Sequence, residues 1–140
     1  MIIVDTNVVS ELMRPSPEEA VQDWVRAQSG RDVYTTAITV AEIRYGIEWL
    51  PAGPRQDSLR AAAVEIFSTF EYRVLPFDTS AAEQYALVMS DRDKLGLPVA
   101  GFDGQIAAIC RVHDSGLATR NVADFEHTGI TVINPWQPVG

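Results

Sequence analysis

The sequence predicts an α/β domain, a central parallel sheet with helices packed on both faces. Two observations predict it. Short apolar runs alternate with stretches of helical periodicity along the whole chain. Acidic residues recur where an apolar run hands over to a helix, the edge at which such sheets place their ligands. No repeat, low-complexity tract or linker divides the sequence, so residues 1–140 are read as one domain.

The strands expected are Ile2–Val4, Val33–Thr36, Val74–Phe77, Leu117–Thr119 and Thr131–Ile133. A helix starts beside Asp5 and Thr6, either of which can cap it. Ser16-Pro17-Glu18-Glu19 has the form of a capping box with proline at the first helical position, opening a helix to about Gln28. Thr39 opens the next helix, which ends near Pro51-Ala52-Gly53-Pro54. Pro54 then starts a long helix reaching about Phe70. Ser80 to Glu83 starts another, stopped at Gly96-Leu97-Pro98, and a further helix runs from about Asp103 to Asp114. The helix after Thr39 carries two stripes. Val40, Ile43, Ile47 and Leu50 should face the core, while Glu42, Tyr45 and Trp49 form a second line with Gly46 allowing close approach. Either that helix is buried on two sides, or its aromatic line is a contact surface for a second copy or a partner.

Composition narrows the function classes. An apolar content of 46% with 21% charged residues is that of an ordinary soluble globule. A first strand at Ile2 leaves no room for a signal peptide, and no apolar run approaches the ~18–20 residues that cross a bilayer. The one cysteine, Cys110, lies in an apolar stretch and is read as buried and reduced, in a cytoplasmic protein. Net charge is −8, which argues against broad nucleic-acid binding through a basic surface but leaves room for a local positive groove. Ten of the eleven basic residues are arginine, which suits bidentate phosphate contacts, although a GC-rich genome explains it more simply.

Four carboxylates fall at the carboxyl edge of the expected sheet: Asp5, Glu42, Asp103 and Asp124. Each has a plain structural explanation. Asp5 can cap a helix; Glu42 completes a Thr39-Val40-Ala41-Glu42 capping box; Asp103 and Asp124 suit the first turn of a helix. Gly101 and Gly104 beside Asp103 are harder to explain in that way, because glycine there costs helix stability while letting backbone or substrate approach. Four such residues at one edge are stronger together than singly, since converging carboxylates repel unless protons or cations intervene. Oxygen ligands without cysteine or histidine select Mg²⁺ or Mn²⁺. His113 and His127 are isolated and are read as structural or solvent-exposed. There is no phosphate loop ending in GKS/T and no G-x-S-x-G elbow, and Asn7 stands where an aspartyl-phosphate enzyme would carry its second aspartate. Metal-assisted attack on a phosphodiester is the chemistry that remains.

The segments Ile2-Ile3-Val4-Asp5-Thr6-Asn7, Thr39-Val40-Ala41-Glu42, Asp103-Gly104-Gln105-Ile106-Ala107-Ala108 and Thr119-Arg120-Asn121-Val122-Ala123-Asp124-Phe125 resemble, in order and spacing, the PIN-domain ribonucleases. The resemblance is greatest to the VapC-type, FitB-like toxins of bacterial toxin–antitoxin modules. It implies a Mg²⁺- or Mn²⁺-dependent endoribonuclease. Asp5, Glu42 and Asp103 match the family's core metal-binding acids, and Asp124 its more variable fourth. Thr6, Asn7 and Asn121 would orient ligands, water or the scissile phosphate. The resemblance also implies a homodimer and a small antitoxin with a DNA-binding segment. Two competing readings stay open: a binding module acting in an autoregulatory antitoxin–DNA complex, and a small-molecule phosphohydrolase.

Overall fold

Ile2–Val4 (β1) is apolar and buried at all three positions, as a strand covered on both faces must be. It pairs in parallel with Val33–Thr36 (β2) on one side and Gly116–Ala118 (β4) on the other. Val74–Leu75 (β3) lies beyond β2 and Val132–Ile133 (β5) beyond β4, so the order is β3-β2-β1-β4-β5, all parallel. The chain winds outward from β1 through β2 and β3, then restarts on β1's other side at β4. Connections therefore diverge between β1 and β4, and a crevice opens at their carboxyl ends. The computed structural model describes residues 1–137.

Alternation along β1 divides the core. Ile2 and Val4 point to one side, where they meet Val8 and Val9 of Thr6–Leu12 (α1) and Val21 of Glu19–Ala27 (α2). Ile43 and Ile47 of Ala37–Glu48 (α3) and Ala63 and Phe70 of Pro54–Phe70 (α4) complete that layer. Ile3 points to the other side, against Val88 of Thr79–Lys94 (α5) and Ile106, Ile109 and Cys110 of Gly101–Val112 (α6). Helices cover both faces, as the sequence predicts. Cys110 is fully buried, and burial raises its thiol pKa, so the sulfur stays protonated.

Several helix starts differ from the sequence expectation. The cap of α3 is Thr36, whose hydroxyl accepts the Thr39 amide at 3.1 Å; Thr39 itself lies inside the helix. Glu42 is thereby released from any capping box. Ser16 caps nothing: α2 begins at Glu19, and the amide of Glu18 is met instead by the Glu11 carboxylate from α1 at 3.1 Å. The cap of α5 is Asp78, two positions before the expected region, and α6 begins at Gly101 without a side-chain cap. Asn121 precedes a single 3₁₀ turn, Val122–Phe125, but its side chain does not cap it. The second stripe of α3 is a surface. Tyr45 and Trp49 are 66% and 74% exposed, joined by a Trp49 Nε1 to Tyr45 hydroxyl bond of 3.1 Å, which removes the two-sided burial reading.

Candidate functional site

Asp5 is the first residue past β1. Its amide donates to the Ala118 carbonyl at 2.9 Å, extending the β1–β4 ladder to the edge of the crevice. The side chain is 2% exposed and fully served. It accepts from the Thr6 amide at 2.7 Å, the Thr119 hydroxyl at 2.8 Å and the Asn7 side-chain amide at 3.2 Å. Burial raises its pKa, these three donors pull it back, and the charge of Asp124 adds to the rise; the net direction is up. Asn7 also accepts the Arg120 amide at 3.0 Å, and the Thr119 hydroxyl accepts the Asn121 amide at 3.1 Å. The ends of β1 and β4 are thus tied side chain to backbone across the switch point.

Glu42, one turn into α3, is held by a chain of hydroxyls. Thr6 donates to it at 2.9 Å and lies 3.1 Å from the Thr39 hydroxyl, which lies 3.4 Å from the Thr36 hydroxyl. Each hydroxyl has one proton. Because Thr6 spends its own on Glu42, Thr39 must donate to Thr6 and Thr36 to Thr39. Thr36 and Thr39 are fully buried, so the inner part of the chain is dry, and it ends on a carboxylate at the crevice. Burial raises the Glu42 pKa, the Thr6 bond opposes this, and the charge of Asp5 adds to it.

Asp103 sits in the first turn of α6, half-buried. It lacks the donors that serve Asp5 and Glu42. Burial, then the charges of Asp5, Asp124 and Glu42, push its pKa up to about 6. That one carboxyl responds to the other three brings all four predicted acids into one electrostatic unit. Asp124 is the outlying member, exposed on the 3₁₀ turn and outside the crevice lining, while Asn121 lines the crevice. Buried Arg92 of α5 holds that turn by donating to the Glu126 carbonyl at 2.7 Å. His113 and His127 are exposed, as read from the sequence.

Thr119, Thr36 and Thr39 were not singled out by sequence as site-forming hydroxyls. The available signal was a threonine at the close of each apolar strand, Thr36 as the last residue of β2 and Thr119 just after β4, at the edge where Asp5 follows β1. The glycine question divides. A Cβ on Gly104 would overlap the Met89 sulfur and come within 3.1 Å of the Tyr85 ring, so this glycine lets α5 and α6 close on each other. A Cβ on Gly101 meets only ordinary contact at 3.8 Å, and Gly46 faces open space.

The crevice has a volume of about 530 Å³. Among the described residues, no three acidic, histidine or cysteine side chains converge closely enough to enclose an ion by themselves. The acidic wall of the crevice presents hard oxygens, while its rim carries Arg120, Trp136 and Arg14, the last paired to Glu11 at 3.1 Å. Such a wall can hold a hard divalent cation through one or two carboxylates, with water and phosphate oxygens filling the remaining positions, as Mg²⁺ prefers.

The model of the PIN domain matches residues 2–130, and the chain belongs to the PIN domain family. It is 41% identical over 139 residues to VapC ribonuclease Y4jK of Sinorhizobium fredii, covering 99% of each chain. It is 40% identical over 137 residues to toxin FitB of Neisseria gonorrhoeae, covering 97% of this chain and 99% of that one. A solved structure of FitAB bound to an IR36 DNA fragment superposes with a TM-score of 0.92 at 39% identity, covering 100% of this chain and 99% of its counterpart. Among the described residues, no helix is long and apolar enough to cross a membrane.

Proposed function

We propose that this chain is a Mg²⁺- or Mn²⁺-dependent endoribonuclease, the toxin of a toxin–antitoxin pair, which hydrolyses RNA phosphodiester bonds and is silenced by a small antitoxin bearing a DNA-binding segment. The observation that carries the reading is that Asp5, Glu42 and Asp103 line one crevice at the β1–β4 switch point, where burial first and the neighbouring carboxylates second push Asp103 up to about 6. Kinship with VapC ribonuclease Y4jK and toxin FitB supports the activity and its biological setting. The proposal extends to a homodimer acting in the cytoplasm, with the domain spanning residues 1–140.

Asp5, Glu42 and Asp103, which line the crevice, would hold the metal through one or two of their carboxylates, with Asp124 at its margin as the fourth, outlying acid. When bound, the cation supplies an activated water and neutralises charge growing on the leaving oxygen. Asp5 keeps one orientation because three donors grip it, and Glu42 keeps one because the threonine chain ends on it. Asp103, with no such partner, has its oxygens free for ligation. Asn7 and Thr6 fix the acids beside them, and Asn121 stands at the crevice wall where the scissile strand passes.

The DNA-bound FitAB structure favours a second, compatible role, membership of an autoregulatory antitoxin–DNA complex. Expression of the chain alone separates the two. Growth arrest that is lost with Asp5→Asn and relieved by co-expressing the neighbouring small reading frame is the expected result. Normal growth with folded protein present would leave only the second role.

A further inference from the structure

RNA has to enter a crevice walled by carboxylates on a chain of net charge −8, so the cations at its rim decide how it is received. Two basic side chains line the crevice, Arg14 and Arg120. Arg14 is committed, with its Nη1 at 3.1 and 3.3 Å from the two Glu11 oxygens. Arg120 is exposed and, among the described residues, forms no ion pair with any carboxylate. Its guanidinium lies over the indole of Trp136, with Cζ 5.1 Å from the ring centroid. A cation–π contact of this kind restrains the guanidinium while leaving the N–H donors that point away from the ring free for a phosphate partner.

Both halves of this pair are anchored. The Arg120 amide donates to Asn7 at 3.0 Å, and the residue before it, Thr119, donates to Asp5 at 2.8 Å. Trp136 follows the buried Pro135, donates its amide to Asn134 at 2.9 Å and packs against the core beneath β1. The free cation is therefore held in register with the carboxylates by the same network that fixes Asp5. We propose that Arg120, presented by Trp136, is the phosphate anchor of the crevice and binds a backbone phosphate next to the one that is cut.

This inference rests on the ribonuclease reading, and its test keeps the two apart. Fluorescein-labelled bulk tRNA is titrated in Mg²⁺ with Asp103→Asn protein, which cannot cleave, between ~50 and ~200 mM KCl. Adding Arg120→Gln should weaken binding and lower the slope of log K against log salt by about 0.7 to 0.9, one phosphate's worth of counterion release. Trp136→Leu should weaken binding less, and Arg26→Gln, on α2 outside the crevice, should leave the slope alone. With Asp103 intact, Arg120→Gln should raise KM and preserve kcat. An unchanged affinity and slope in Arg120→Gln, beside a parent that binds, overturns the anchor alone. A fall in kcat with KM unchanged overturns it too, because Arg120 would then act only on the transition state. A parent that binds no tRNA at ~50 mM salt overturns the RNA reading itself, and the anchor with it.

Discussion

Among the carboxyls, that of Asp103 is the one most altered by its surroundings, and its effect on stability has a definite sign. Its pKa is about 6 in the fold against 3.8 in the free side chain, so the folded protein binds more protons between those values. Its contribution is fully present below pH ~3.8 and is lost as pH rises through about 6. In chelator at neutral pH, Asp103→Asn should therefore be more stable than the parent by about 1 kcal/mol, the figure being reduced because the group is half in solvent. Urea denaturation at descending pH should show that advantage closing towards pH ~4; an advantage independent of pH would show that ionisation of Asp103 is not its source. The threonine chain gives a second test. Thr39→Val removes one hydroxyl from a dry relay and should weaken Mn²⁺ binding by calorimetry about tenfold, with Thr39→Ser close to the parent. Equal affinity in the valine variant would mean that Glu42 needs no relay. The placement of Asp5, Glu42 and Asp103 at one edge of the sheet was legible because it follows from position at a strand end and at helix starts. The hydroxyl chain was not, since Thr6, Thr36 and Thr39 meet only when α1 is laid against α3.

At the scale of elements, α4 was read to the residue, because proline at a first helical position both allows and marks the start. The start of α2 was misread, because a local capping motif at Ser16 lost to Glu11, a carboxylate from another helix that no local pattern reveals. The join of α3 to α4 depends on a similar tertiary cap. Buried Gln56 donates from Nε2 to the Ile47 and Leu50 carbonyls, both at 3.0 Å, serving the exposed end of α3. Gln56→Ala should cost about 1–3 kcal/mol in thermal unfolding without altering metal affinity. On the other face, Gly104→Ala should cost about 1–3 kcal/mol by forcing α6 from α5. Adding Met89→Ala should make the double variant more stable than the sum of the single losses predicts. Simple additivity would show that α5 and α6 do not close through this glycine.

The order of the whole sheet was the largest thing hidden from the sequence. Alternating strands and helices imply parallel pairing, but nothing local says that β4 pairs with β1 rather than extending from β3. That pairing sets Asp5 beside Thr119 and opens the crevice, so the fold class was legible and the reason for the site's location was not. The charge balance belongs to this scale too. A chain with net charge −8 concentrates carboxylates at one switch point and, among the described residues, leaves Arg120 at their rim without an ion pair. We infer that this arrangement performs metal-dependent hydrolysis of RNA. The measurement that tests it most directly is incubation of the purified, antitoxin-free chain with total cellular RNA in Mg²⁺, Mn²⁺ or chelator, beside Asp103→Asn. Discrete fragments that require the metal and vanish in the variant are the predicted result. Identical RNA profiles for parent and variant in every condition, with metal binding to the parent verified, would contradict it.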